Sequence, residues 1–393
     1  MRRAAIPGGV WTLGFVSLLM DSSSELIHSL LPLYMAGALG ASVLVIGLIE
    51  GVAESLALIC KMFSGYLSDL TRRRKPLVLA GYGLAAASKL VFPLATSIEW
   101  VMAARFVDRV GKGIRGAPRD ALIADLTPRD VRGAAFGLRQ SLDTVGAIAG
   151  PLLAVGAIAW FAGNFRAAFW IAVIPAALCV LLIVFGVDEP ARVERAPGKR
   201  IAWRDVSRLD RRFALVTVVA AVLTLARFSE AFLVLRAHDV GMSNLQAPWV
   251  MVVMSLVYAI LAYPAGNAAD RGHARGLLLG GFAALIVSDL VLARAATPAG
   301  ALVGAGLWGL HMALTQGLLA ALVSATAPAD LRGTAFGVFN LACGVALLIA
   351  SAVAGALWDA LGPAFTFYAG AAFTALAAAG WLALRRDVPH LAA

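Results

Sequence analysis

Long apolar runs separated by short polar breaks fill the chain from near its start to near its end. Because a helix needs about 20 apolar residues to cross the hydrocarbon of a bilayer, the pattern predicts twelve spans. Six fall at 10–36, 43–67, 76–96, 98–124, 130–158 and 164–187, and six more at 212–236, 245–266, 274–294, 299–326, 330–357 and 364–385. The runs are continuous rather than alternating, and each is too long for a barrel strand, so helices are expected. The first run is longer than a signal-peptide core and lacks a small-residue cleavage pattern, so it reads as a retained span.

The second row of spans repeats the first. Arg132-Gly133-Ala134-Ala135-Phe136-Gly137 returns 200 residues later as Arg332-Gly333-Thr334-Ala335-Phe336-Gly337. Gly65 and Asp69 answer to Gly266 and Asp270, and Ser24-Glu25 to Ser229-Glu230. Landmarks in one order at a nearly constant offset mark a tandem duplication. The expected organisation is a six-helix bundle over 1–187, a linker over 188–212 and a second six-helix bundle over 213–393.

Composition agrees with a bilayer protein: 61% of residues are hydrophobic, 14% charged, and the net charge is +10. Where that charge falls matters more than its size. Arg72, Arg73, Arg74 and Lys75 follow span 2, Arg129 and Arg132 span 4, Arg271 and Arg275 span 8, and Arg332 span 10. The linker adds Arg192, Arg195, Lys199, Arg200, Arg204, Arg208, Arg211 and Arg212, with Pro190, Pro197 and Gly198 among them. Basic residues near span ends are retained on the cytoplasmic side. The expected location is therefore the bacterial cytoplasmic membrane, multi-pass, with both termini in the cytoplasm. This bias accounts for the positive charge without a nucleic-acid partner. Cys60, Cys179 and Cys343 all sit inside spans without metal-ligand spacing, and imply neither disulfide nor zinc site.

Around the end of span 2 the chain reads Gly65-Tyr66-Leu67-Ser68-Asp69-Leu70-Thr71-Arg72-Arg73-Arg74-Lys75. Here it resembles the major facilitator superfamily, whose loop between helices 2 and 3 reads Gly-x-Leu-x-Asp-x-x-Gly-Arg-Arg/Lys. Gly65, Leu67, Asp69, Arg73 and Arg74 match; Leu70 stands where a basic residue is common and Arg72 replaces the second glycine. Gly266-Asn267-Ala268-Ala269-Asp270-Arg271-Gly272 echoes it in the second half. The resemblance implies an all-helical fold of two pseudo-symmetric bundles around a cavity lined by spans 1, 4, 7 and 10, with help from 2, 5, 8 and 11. It further implies that Asp69 helps latch the cytoplasmic side; Gly65, Arg73, Arg74, Gly266 and Asp270 are assigned to the same gate. Physically, Gly65 admits close helix approach and Asp69 suits the positive end of a neighbouring helix.

Span 4 concentrates charge in Arg105, Asp108, Arg109, Lys112, Arg115, Arg119 and Asp120. Arg105, Gly111 and Gly113 match the superfamily's Arg-x-x-x-Gly-x-Gly pattern, and Asp108 to Asp120 resembles a subgroup with Asp-Arg-x-Gly-Lys-Gly-x-Arg-x-x-Pro-Arg-Asp. Positions 105, 108, 112, 115 and 119 step by three and four and share one helical face. Ionisable groups at membrane depth are costly, so this stripe is expected to face other helices or water. Arg115, Arg119 and Asp120 are placed at the cytoplasmic surface in an inter-domain salt-bridge network, and Arg105 and Asp108 in the working site. Asp21, Glu25 and His28 recur at i, i+4 and i+7 on span 1, Glu50 and Glu54 pair on span 2, and Arg139 and Asp143 stand on span 5. Glu50 fits equally well as a solvated residue near the periplasmic end. An acid that loses an arginine partner takes up a proton, so Asp21, Glu25, Asp108 and Asp143 are the candidate coupling acids.

On span 5, Gly146-Ala147-Ile148-Ala149-Gly150-Pro151 resembles the core of a signature of the superfamily's antiporters, which favours export; Ala154-Val155 replaces its usual Gly-Gly ending. The second half is poorer in charge: Arg227 and Glu230 on span 7, Asp289 on span 9, His311 with Gln316 on span 10. His311 reads as a packing histidine, and Trp249, Trp308, Trp358 and Trp381 as interfacial or packing aromatics. The function expected is proton-coupled efflux of a small molecule by alternating access, by a monomer with no cofactor, in contact with lipid, substrate and protons. Two other cargoes fit the same fold. Asp21, Glu25 and His28 on one face suit a divalent metal such as iron or nickel, and Arg105, Lys112 and Arg115 suit an organic anion. An enzyme is not expected, since no His-Glu-x-x-His, Gly-x-Ser-x-Gly or His-x-x-x-x-Asp pattern appears and a duplication has no purpose there.

Overall fold

The computed structural model describes residues 6–71, 73–128, 131–189, 208–328 and 331–384, but not the side chains of Asp69, Asp270 and Arg332, among others. Among the described residues there is no strand. Six helices make up the first half: α1 (Gly8–Leu33), α2 (Val43–Thr71), α3 (Lys75–Val91), α4 (Ile98–Leu126), α5 (Arg132–Trp160) and α6 (Phe165–Gly186). In the second half, α7 (Arg211–Ala226) and α8 (Ala231–Asp239) together occupy the seventh span. They are followed by α9 (Trp249–Ala268), α10 (Ala274–Arg294), α11 (Pro298–Thr326), α12 (Arg332–Leu361) and α13 (Pro363–Leu384).

Contacts gather these elements into two compact units. The first holds the described residues of Met1–Tyr34 and Leu56–Arg200, the second those of Met35–Ser55 and Ile201–Ala393. The beginning of α2 thus groups with the second half, and side chains explain it. Asp359 at the end of α12 caps α2: Val43 N donates to its Oδ1 at 3.2 Å and Leu44 N to its Oδ2 at 2.9 Å. A carboxylate suits the partial positive charge of a helix start. Further along, Ser55 Oγ donates to the Gly344 carbonyl at 2.5 Å. Glu50, in this same stretch, is fully buried, which removes the reading that places it in solvent.

In the first unit α1 packs on α5 and α6, and α3 on α4 and α6. Val10, Leu13, Val16 and Met20 of α1 meet Val78, Tyr82 and Ala85 of α3 with Leu122, Ile123, Ala176, Cys179 and Ile183 in one core. Glycine permits the closest approaches. A Cβ on Gly111 would come within 2.6 Å of the Gly81 carbonyl and 2.9 Å of Ala85 N, and one on Gly146 within 2.6 Å of the Leu18 carbonyl. In the second unit α10 packs between α11 and α13. Its C-terminal carbonyls are taken by the buried Arg236, whose Nε donates to Leu292 O at 2.9 Å and Nη2 to Ala295 O at 2.7 Å. That is the favourable place for a cation on a helix.

Nine segments of the described residues are long and apolar enough to cross a membrane by composition alone. Those that fall short are α1, α3 and α4. Trp160 at 84% exposure and Phe185 at 83% show what the outer surface meets. Large apolar side chains so exposed suit hydrocarbon as the surrounding medium.

The seventh span departs from the expected continuous helix. It stops at Ala226, runs non-helically through Arg227, Phe228 and Ser229, and restarts at Ala231. The freed backbone finds side chains: Ser229 N donates to Ser351 Oγ and Ala231 N to Ser229 Oγ, both at 3.2 Å. A span can break where neighbours satisfy its released groups in this way.

Candidate functional site

The first unit contains a fully buried knot of charge. On α4, Asp108 receives Lys89 Nζ of α3 on its Oδ1 at 2.7 Å, with the two side chains only 2% and 1% exposed. Its Oδ2 lies 3.7 Å from Arg105 Nη1 and 3.8 Å from Arg109 Nε. Lys89 also donates to Ser24 Oγ of α1 at 3.0 Å, so three helices converge. One carboxylate thus stands among three cations where water does not reach. In low dielectric such contacts are strong and the cost of parting them is high.

One turn and more along α4, a second cluster begins. Arg115 is buried, with its guanidinium 4.5 Å from the centre of the Tyr82 ring and its Nη2 3.6 Å from Asp21 Oδ1. Arg119 Nη1 donates to Ser17 Oγ at 2.9 Å and to Tyr82 Oη at 3.4 Å, and lies 3.8 Å from Asp143 Oδ1. Arg139 Nη1 holds the other oxygen of Asp143 at 2.6 Å, and Arg119 Nε meets Asp120 at 3.2 Å. All of these residues lie on α1, α3, α4 and α5, within the first unit.

Glycine sets these clusters in place. A Cβ on Gly113 would stand 2.7 Å from the Ala57 carbonyl and 2.5 Å from Cys60 Cβ, so α2 and α4 touch backbone to backbone there. Gly150, beside Pro151, lies over Ser22 and Leu26 of α1, with the Ser22 carbonyl 2.9 Å from where its Cβ would be. Gly146 and Gly150 therefore press α5 against the stretch of α1 that carries Asp21 and Glu25.

Other predicted positions fall elsewhere. Glu25 meets His28 Nδ1 at 3.4 Å instead of joining Asp21, which turns to Arg115. No three of His, Cys, Asp and Glu converge to hold a metal ion among the described residues, so the metal set expected on α1 does not assemble. Lys112 is exposed, midway along a stripe whose Arg105, Asp108 and Arg115 are buried. Glu54 is half-buried on α2. Arg227 and Glu230, both half-buried, stand at the two edges of the break in the seventh span. A Cβ on Gly65 would lie 3.4 Å from Ala117 Cβ of α4, while one on Gly266 would meet nothing within 4 Å. Arg73 is exposed; Arg74 Nε faces Asp125 at 3.4 Å, and its guanidinium also meets Ser68. The Asp69 and Asp270 side chains, and Arg72 and Arg129 entirely, lie outside the described residues.

Four contributors escaped the sequence reading. Lys89 is the first, and its position near the end of an apolar run was the available clue. Ser17 and Tyr82, which hold Arg119, carried no such clue. Glu189 is the fourth: its carboxylate caps α3, accepting from Arg74 N at 2.7 Å and Lys75 N at 2.8 Å.

Long apolar helices in two units, with glycine-mediated packing and buried charge, are the architecture of a multi-pass membrane protein. The model of the Major Facilitator Superfamily matches residues 12–235 and again 214–393, and the chain belongs to that family. It is 32% identical over 370 residues to an uncharacterized MFS-type transporter of Methanocaldococcus jannaschii, covering 92% of this chain and 91% of that one. A shorter match, 30% over 165 residues, joins it to the arabinose-proton symporter of Escherichia coli K12, covering 41% of this chain and 34% of the symporter. The fold is similar to the crystal structure of the nucleoside transporter NupG, with a TM-score of 0.80 at 15% identity, covering 95% of this chain and 99% of that one.

Proposed function

We propose that the protein is a proton-coupled exporter of a small molecule in the bacterial cytoplasmic membrane, working as a monomer by alternating access between its two bundles, 1–187 and 213–393. The observation that carries this reading is the Lys89–Asp108–Arg105–Arg109 knot. A carboxylate held by three cations is ionised while they stay and takes a proton when they part. That exchange is what a proton gradient needs in order to do mechanical work. Asp21 on Arg115 and Asp143 between Arg119 and Arg139 repeat the arrangement nearer the basic loops. The symporter among the relatives lends support to proton coupling, and Gly146, Gly150 and Pro151 to export. Arg115, Arg119 and Asp120 join Gly65, Asp69, Arg73, Arg74, Gly266 and Asp270 as the proposed cytoplasmic gate, with Arg227, Glu230, Glu25, His28, Glu54, Lys112 and Asp143 contributing to coupling or substrate contact.

The cargo favoured by the geometry is anionic. Lys112 is exposed on the helix that also carries Arg105 and Arg115, and such cations suit a carboxylate or phosphate. The test uses proteoliposomes of the purified protein loaded with a pH-sensitive dye. Under an imposed proton gradient, organic anions, lipophilic cations and divalent metals are offered in turn. The expected outcome is proton flux with an organic anion in wild type and none in Asp108→Asn. Flux that persists in Asp108→Asn removes the knot from coupling, and flux with divalent metals alone overturns the anionic cargo.

A further inference from the structure

Both halves bury a charged side chain at the same point of the repeat, and they treat it in opposite ways. Lys89 of α3 and Asp289 of α10 are 200 residues apart, and the packing around them keeps that offset. Gly81 lies against Gly111 and Arg115, and Gly281 against His311 and Thr315. Lys89 has its countercharge in Asp108. At the position equivalent to Asp108 stands Trp308, which is 1% exposed, and Asp289 is 0% exposed.

Neither carboxyl oxygen of Asp289 has a hydrogen-bond partner among the described residues. The carboxyl is pressed against bare backbone: a Cβ on Gly370 of α13 would stand 2.6 Å from Asp289 Oδ2 and 3.2 Å from Phe228 Cε1. Phe228 belongs to the break in the seventh span, and its ring centre is 5.4 Å from that of Trp308 and 5.6 Å from that of Phe367. A glycine and one edge of an aromatic cluster therefore lie beside this acid.

On either side of Phe228 in the break, Arg227 and Glu230 face each other, and Arg227 also faces Cys343 and Tyr258; the other titratable groups on the neighbouring elements lie away from Asp289. On α11, His311 places its Nδ1 2.9 Å from the Gly281 carbonyl, which is eight residues, or about 12 Å of helix rise, from Asp289. On α13, Tyr368 is 37% exposed on the outer surface. Arg236 of α8 serves the last carbonyls of α10 and pairs with Asp239. Arg275 and Arg294 lie at the two ends of α10, and Arg271 and His273 precede it, exposed. An ionised carboxylate with no partner is strongly disfavoured at such a place. A proton is the ligand that removes the charge and needs no added room.

We propose that Asp289 is a proton-binding site of the second unit, protonated in the packed arrangement and releasing its proton to water when Gly370 and Phe228 withdraw from it. Its part in a transport cycle rests on the proton-coupled reading above; its protonation does not. Infrared difference spectroscopy on the full chain in liposomes compares wild type with Asp289→Asn. At neutral pH the wild type shows a protonated-carboxyl C=O stretch that Asp289→Asn lacks, that shifts in deuterium oxide and that bleaches as pH is raised. Absence of that band at neutral pH overturns the proposal. So does a band that neither exchanges with deuterium oxide nor responds to pH, which marks a locked acid. Should Asp289→Asn fail to fold, Asp289→Glu assigns the band by moving it. No substrate enters the measurement, so a chain with a titrating Asp289 that moves no protons in proteoliposomes loses the coupling reading and keeps this site.

Discussion

Lys89 shows how much one buried side chain decides. With its partner Asp108 it forms an ion pair at 2.7 Å that neither water nor lipid reaches. Removing Lys89 leaves Asp108 with only the longer contacts to Arg105 and Arg109, and the loss of one member of a buried pair costs up to about 3–5 kcal/mol. Lys89→Met is therefore expected to lower the melting temperature in detergent sharply. The double variant Lys89→Met with Asp108→Leu is expected to lose less than the two single losses added together, even though Arg105 and Arg109 then lack the Asp108 carboxylate; a double variant as unstable as the sum of its parts contradicts the pairing. At this scale the sequence was informative about span 4 and offered the acids of spans 1, 2 and 5 as its countercharges, two of which, Asp21 and Asp143, lie beside Arg115 and Arg119, but it did not single out Lys89 as the partner of Asp108. Arg105 and Asp108 could be read because charge inside an apolar run has few innocent explanations. A single lysine near a span end has one, since it can snorkel to the headgroups. Only the approach of α3 to α4 shows that Lys89 turns inward. Asp289 was visible as a residue, but its isolation depends on Gly370 and Phe228, far away in the chain.

Among the elements, periodicity and length placed the helices closely: α4 begins at the expected residue 98, and α10 spans the expected 274–294. The seventh span lies where it was expected, but its break was missed because Arg227-Phe228-Ser229 holds neither glycine nor proline, the usual marks of a break. Serine interrupts it by offering the backbone an alternative partner, and that partner sits on α12. Helix contacts give a sharper test. Gly111→Ala would drive a Cβ onto the Gly81 carbonyl and Ala85 N, backbone atoms that cannot swing aside. A loss of about 1–3 kcal/mol in thermal stability is expected from such overpacking. Gly133→Ala, with nothing within 4 Å of the added Cβ, is the control, and equal effects of the two rule out a tight α3–α4 seam.

For the whole molecule, orientation is the property most open to direct test. Basic residues cluster in alternate loops, so Arg73→Cys and His273→Cys are expected to react with a membrane-impermeant maleimide only from the cytoplasmic face. Glu99→Cys and Ser243→Cys are expected to react only from the outer one, and all four native positions are exposed in the structure. Labelling of both pairs from one side refutes the assigned topology. The duplication, the count of spans and the family were all legible because each depends on pattern summed over many residues. The identity of the cargo was not, since it depends on a few side chains whose neighbours the chain order does not reveal. One consequence of the α3–α4 knot is electrical. Charge fixed at membrane depth also sits in the field of the membrane, where one elementary charge carried fully across exchanges about 2.3 kcal/mol with a 100 mV potential. A step that carried Lys89, Arg105 and Arg109, with the Asp108 they hold, along that field would depend on the membrane potential as well as on the gradient of the cargo.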